Sequence, residues 1–161
     1  KEPCQLEALI DNTLALAESD YDLKKHYDFR KIKIIKEYDS FIPQIQCEPS
    51  KIQQVFFNIL KNASEAMAEY HGDTGAPIIT VRLKNQDKKV GIEIHDNGPG
   101  IDESTRKRIF EPFFTTKGAE RGTGLGLSVS YFIIVDDHNG DIQVESQPGK
   151  GTTFIIKLPL E

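Results

Sequence analysis

One stripe constrains this chain more than any other feature. Ile52, Val55, Phe56, Ile59, Leu60, Ala63 and Met67 recur at i, i+3, i+4, i+7 and i+8, which predicts a long amphipathic helix with one face to cover. Pro49 just ahead, and Ser50 with Gln53 as a capping box, place its start. Such a face demands a second layer, and alternating segments supply it. Strands are expected at Ile32–Tyr38, Ile78–Lys84, Val90–His95, Ile142–Ser146 and Thr152–Leu158. Asn85–Lys89 and Gln147–Gly151 read as the turns between paired strands. An earlier helix carries Leu6, Leu9, Ile10, Thr13, Leu14 and Ala17 on one stripe, with Pro3 in its first turn. Ser19–Phe29 reads as a connection, and Pro43 and Pro49 bracket a loop. A short helix near Glu103–Phe110 and a third long one over Leu125–Asp137 follow, the latter stopped by Asn139-Gly140. The order predicts an α+β fold, one layer of helices on one of strands.

Composition narrows the function. The 161 residues suit a single domain, 1–161, with 1–19 as a lead-in helix. With 25 acidic residues against 20 basic, the net charge of −5 opposes a nucleic-acid footprint. A phosphate ligand therefore has to be held locally. Cys4 and Cys47 are too few for a disulfide framework and suit a reducing compartment. The longest apolar run, Tyr131–Val135, is far short of the ~20 residues of a membrane span. No secretory signal opens the chain, so a cytoplasmic domain without membrane contact is expected.

Three groups of residues carry chemistry. Asn58, Asn62 and Glu65 share a polar stripe on the second helix; amide oxygens so spaced suit a hard cation, and the same pattern suits a solvated face. Asp96-Asn97-Gly98-Pro99-Gly100 directly follows a strand. Its glycines allow a close backbone approach and its carboxylate can accept from a ligand's amino group, although a plain Asx turn has the same sequence. Gly122-Thr123-Gly124-Leu125-Gly126-Leu127 opens the third helix, where free amides and the helix dipole favour an anion; a hinge is the alternative. Leu127 stands where a dinucleotide fingerprint needs glycine, and no phosphate loop ends in Gly-Lys-Ser/Thr. Between these loops, Phe110, Phe113 and Phe114 look like the apolar anchor of a lid, or like ordinary core.

In this order, the segments resemble the ATP-binding catalytic domain of bacterial sensor histidine kinases. Gln54–Ala63 is similar to that family's asparagine box, Asp96–Gly100 and Gly122–Leu127 to its glycine boxes, Ile109–Lys117 to its phenylalanine box and Gly149–Phe154 to the last glycine box. The resemblance implies a two-layer sandwich, a mixed and mainly antiparallel sheet covered on one face by three helices, with an ATP lid. It implies ATP and Mg2+ as ligands. Asp96 would accept from the adenine amino group, Asn62 would ligate magnesium, and Asn58 would support that site and the chemistry. Nucleotide contacts would come from Gly98, Gly100, Ile101, Phe110, Thr115, Thr116, Gly122, Thr123, Gly124, Leu125, Gly126, Leu127 and Thr152. Lys117 would meet the phosphates as a catalytic cation, with Lys61 and Arg121 as further candidates. Glu65 and Ala66 replace a lysine and an aromatic frequent in the family, which shifts phosphate contacts toward the lid.

The resemblance further implies a γ-phosphate donated to a histidine on a separate helical dimerisation domain and relayed to a response-regulator aspartate. The isolated domain would be a monomer and its parent a homodimer. Hydrolytic relatives carry a glutamate where this chain has Asn58, and an amide is no general base at neutral pH. An ATPase or serine kinase of the same superfamily, and a nucleotide-binding module of a degenerate kinase, are the alternatives. His26, His71, His95 and His138 each read as surface or structural residues, so the acceptor is expected upstream of this chain.

Overall fold

The chain is described by a computed structural model over residues 1–20, 29–68, 75–112, 114 and 126–160. Strand β1 (Glu2–Cys4) leads into helix α1 (Leu6–Ser19), and a 3-10 turn, Phe29–Lys31, precedes β2 (Lys33–Tyr38). Strand β3 (Ile45–Cys47) and helix α2 (Pro49–Ala68) come next, then β4 (Ile78–Gln86) and β5 (Lys89–Asp96). The short α3 (Glu103–Arg108) and α4 (Gly126–Tyr131) precede β6 (Asp141–Ser146) and β7 (Thr152–Pro159). The main sheet runs β2-β4-β5-β7-β6, with β2 and β4 parallel and every other pair antiparallel.

Register decides which face is covered. Ile79, Val81 and Leu83 on β4 stand beside Asp96, Ile94 and Ile92 on β5, and these beside Thr152, Phe154 and Ile156 on β7. All nine are buried. The alternate residues, Arg82 and Lys84 with Glu93, form an ion-paired ladder on the opposite face. The helices thus lie on one side. Every residue of the two sequence stripes, Leu6 to Ala17 on α1 and Ile52 to Met67 on α2, is buried against that side or against the other helix. Each such aliphatic side chain contributes roughly 1.5–3 kcal/mol of burial.

The departures from expectation are local. Pro3 lies in β1, not in a helix; β1 pairs with β3, opposite Gln46, and this two-stranded edge tolerates its missing N–H. The segment bracketed by Pro43 and Pro49 contains β3, whose three residues are too few to show a period. Pro49 is itself the first residue of α2, with Ile52 donating to the Glu48 carbonyl, so Ser50 lies inside the first turn instead of capping it. Glu65 is buried, because the covered arc of α2 widens near its end to include Ser64 and Glu65. The short helix ends at Arg108, two residues early.

The third long helix changes character midway. After Tyr131 it continues as a π-helix, Phe132–Asp137, an uncommon form concentrated at functional sites. His138 closes it: Nδ1 is 2.8 Å from the Ile133 carbonyl, and Nε2 accepts from the Glu48 amide at 3.1 Å. The ring is therefore a neutral Nδ1–H tautomer that ties the helix end to the start of α2. Asn139 takes the left-handed conformation (φ 55°) and Gly140 donates to the Ile134 carbonyl, as the stop signal predicts.

Candidate nucleotide site

The site forms where β5 ends beside α2. Asp96 is buried, its side chain on the helix-covered face, and its Oδ1 accepts from Gly98 N–H at 2.9 Å. Burial raises its carboxyl from the ordinary range to about 6, against the opposing pull of the Gly98 and Thr152 amides. Gly98 lies between this carboxylate and Met67 of α2. Thr152 stands beside Asp96 in the β5–β7 register, is buried, and shares a 2.9 Å hydroxyl contact with Ser146.

Two loops are locked together by backbone packing. Gly100 (φ +71°) and Gly151 (φ +86°) sit so close to the Gln147 and Asp96 carbonyl oxygens that a Cβ would stand 2.0 and 2.1 Å away. Gly149 N–H donates to the Pro99 carbonyl at 2.6 Å. Ser146 accepts from Ile101 N–H and donates to the Gly151 carbonyl. Asn97 fixes the other flank, accepting from Ile78 N–H and donating to the Ala76 carbonyl. Ile101 is half-buried against the core.

On α2, Asn58 and Asn62 are one turn apart and half-buried. The Asn58 amide nitrogen donates to the Gly126 carbonyl at 3.1 Å and lies 3.3 Å from Ser130 Oγ. Because Gly126 offers a carbonyl, the nitrogen faces α4 and the amide oxygen is the atom left for a ligand. Leu127 packs half-buried against the core, and Phe110 packs on Tyr131 (5.4 Å between ring centroids) and Phe154 (6.4 Å). Phe110 is thereby an anchor between α4 and the sheet. Arg108 stacks over Phe114 at 4.6 Å.

The structure thus brings Asp96, Gly98, Gly100, Ile101 and Thr152 together where β5 and β7 meet their loops, and Asn58 together with Gly126 between α2 and α4, with Asn62 one turn along α2, Leu127 beside Gly126 and Phe110 against Tyr131 and Phe154. Phe113, Thr115, Thr116, Lys117, Arg121, Gly122, Thr123, Gly124 and Leu125 lie outside the described residues, as do His26 and His71. Sequence reasoning missed Ser130, Ser146 and Asn97. Ser130 is fully buried, and its bond to Gly126 spans one helical turn, a spacing that on its own marks nothing. Asn97 lay inside a motif and was read only as turn chemistry.

A metal fit can be judged from the donors. Among the described residues no group of three or more His, Cys, Asp or Glu can hold an ion. Neutral amide oxygens from Asn62 and Asn58 fit a cation that brings anionic oxygen ligands with it, as a magnesium nucleotide does.

Comparison with known proteins places this arrangement among others. Residues 47–161 match the family described as histidine kinase-, DNA gyrase B-, and HSP90-like ATPase. The chain is 53% identical over 119 residues to sporulation kinase E of Bacillus subtilis, covering 74% of this chain and 15% of that protein. It is 40% identical over 155 residues to the signal transduction histidine-protein kinase AtoS of Escherichia coli, covering 96% of this chain and 23% of that one. The chain therefore spans less than a quarter of the length of these two relatives. The solved catalytic domain of histidine kinase ThkA superposes with a TM-score of 0.79 at 32% identity, covering 98% of this chain and 94% of that domain. ThkA has also been solved in complex with a response regulator protein, where this chain matches 41% of the kinase at a TM-score of 0.76 and 30% identity.

Proposed function

The chain belongs to the histidine kinase-, DNA gyrase B- and HSP90-like ATPase family, and from that membership we propose that it is the catalytic, ATP-binding domain of a protein-histidine kinase. The observation that carries this reading is the buried Asp96 carboxylate, held by the Gly98 amide beside Thr152 at the edge of α2. Its free lone pairs suit the exocyclic amine of adenine, and the Met67 side chain beside Gly98 offers apolar contact to a flat base. Asn62 would hold Mg2+, with the Asn58 oxygen as a second donor. The ion supplies charge neutralisation on the phosphates when bound. Asn58 meanwhile fixes the start of α4 through Gly126 and Ser130. Gly122, Gly124 and Lys117, in the segment before α4, would take the phosphate oxygens.

The reaction proposed is transfer rather than hydrolysis. Asn58 offers no base to activate water, whereas phosphoryl transfer needs chiefly positioning and charge compensation. The bond between the γ-phosphorus and the β–γ bridging oxygen breaks, a bond to an imidazole nitrogen forms, ADP leaves and the imidazole releases its proton. His138 is buried between two backbone groups, and His95 lies on the opposite sheet face from Asp96. Both placements favour an acceptor on a separate helical domain of the parent, from which the phosphoryl group passes to a response-regulator aspartate.

Calorimetry of ADP, with and without magnesium, on the parent and on Asp96→Asn tests the binding step. Magnesium-dependent binding that weakens at least tenfold in the variant is expected; equal affinities would remove the adenine assignment. Adding labelled ATP and a histidine-bearing helical domain should yield phosphohistidine. Release of free phosphate instead would establish the hydrolytic alternative, and neither product a degenerate module.

A further inference from the structure

Strand alternation gives the nucleotide site a neighbour on the other side of the sheet. Asp96 and Thr152 face the helices, so the adjacent His95 and Thr153, paired with each other in the register, face away from them. There a cavity of about 450 Å³ opens, lined among others by His95, Arg106, Glu145, Gln147, Lys150 and Thr153. That volume lies within the roughly 300–1,000 Å³ of small-molecule sites. Its floor is ordered: His95 Nδ1 and Thr153 Oγ1 are 2.7 Å apart. Burial, with the Arg82 charge nearby, holds the imidazole below its usual pKa. One wall comes from α3, which packs on β6 and brings Arg106. The other is the Gln147–Gly151 turn, fixed by the Gly151–Asp96 backbone contact, and it brings Lys150.

The charges here are unspent. Arg82, Lys84 and Glu93 on the same face neutralise one another. Arg106, Lys150 and Glu145, by contrast, make no ion pair among the described residues. Two cations against one carboxylate leave the cavity positive in a chain whose net charge is −5.

We propose that this cavity, between α3, the Gln147–Gly151 turn and the strand ends that carry His95 and Thr153, is a second ligand site, taking a small oxyanion that carries a phosphate or carboxylate group. Arg106 and Lys150 supply charge-assisted hydrogen bonds. In the tautomer that accepts the Thr153 hydroxyl at Nδ1, Nε2–H is a further donor to the anion. The cavity's charged lining, Arg106, Glu145 and Lys150, shares no residue with the set proposed to hold the nucleotide.

Nitrogen-15 NMR titration of the chain, saturated with Mg-ADP, tests the proposal with inorganic phosphate in one arm and malonate in the other. Saturable shifts of the Lys150 and Thr153 amides and of the His95 imidazole nitrogens are expected in at least one arm, and the responding arm identifies the anion class. Arg106→Ala should weaken that binding at least tenfold. Glu145→Gln, which removes the single carboxylate, should tighten it about threefold. Linear, unsaturable shifts in both arms, or saturation that both substitutions leave unchanged, would overturn the assignment. Mg-ADP affinity measured on the same samples separates this result from the proposal for the nucleotide site.

Discussion

Asp96 sets function against stability at a single side chain. Its folded-state carboxyl titrates at about 6, above the ordinary value, so the group stabilises the fold fully only below about pH 4. That contribution is lost as the pH rises through 6. A shift of about two units amounts to about 3 kcal/mol at pH 7. Asp96→Asn should therefore stabilise the ligand-free chain at pH 7 by about 1–2 kcal/mol, after about 1–2 kcal/mol is deducted for the buried amide's unmet donors. Urea unfolding at pH 7 and pH 4 checks this, because the gain should vanish at the lower pH. Nucleotide affinity has the opposite dependence and should decline below pH 6 as the carboxylate is protonated. Asn58 is a second residue with a measurable coupling. Asn58→Ala should cost about 1 kcal/mol, and a double-mutant cycle with Ser130→Ala should return a coupling of about 0.5–1 kcal/mol. Strict additivity would mean that the 3.3 Å contact carries no energy.

At the scale of elements, the two loops at the head of the sheet and the π-helix are the parts whose geometry leaves no slack. Gly151→Ala forces a Cβ to within 2.1 Å of a backbone oxygen at positive φ and should cost at least about 3 kcal/mol. Gly149→Ala, also at positive φ but with nothing within 4 Å, should cost only about 1 kcal/mol. Thermal unfolding of the two variants separates close approach from conformational strain. His138→Ala removes two buried backbone partners at once and should cost about 2–3 kcal/mol, with faster hydrogen exchange at the Glu48 amide as its local signature. These elements also mark how far the sequence could be read. The α1 and α2 stripes were legible because a one-sided helix repeats its pattern over three or more turns. Strands β1 and β3 were not, since three residues hold no period. The π segment was invisible for another reason: its apolar residues suit an α-helix equally well, and only the buried bonds of His138 distinguish the two.

For the molecule as a whole, the layer arrangement followed from the order of helical and alternating segments. What did not follow was the partnership between motifs. That Asn58 holds α4, or that Ser146 binds both Ile101, just after the Asp96–Gly100 motif, and Gly151 in the last turn, depends on side chains brought together only by the finished sheet. Binding should accordingly stabilise the fold as a unit. Magnesium-nucleotide at one hundred times its Kd should add about 2.7 kcal/mol to the unfolding free energy, and removing the metal with a chelator should reverse most of that gain in thermal unfolding.

The placement of β7 has a consequence for biosynthesis. The last strand in sequence occupies an interior position, between β5 and β6, and delivers Gly151 and Thr152 to Asp96. A nascent polypeptide leaving the ribosome presents β5 and β6 as bare edges until residues 152–159 have emerged. Products truncated before that point would lack an interior strand, and with it Thr152 from the proposed nucleotide site. On the proposed function, nucleotide binding would thus wait until translation has delivered β7.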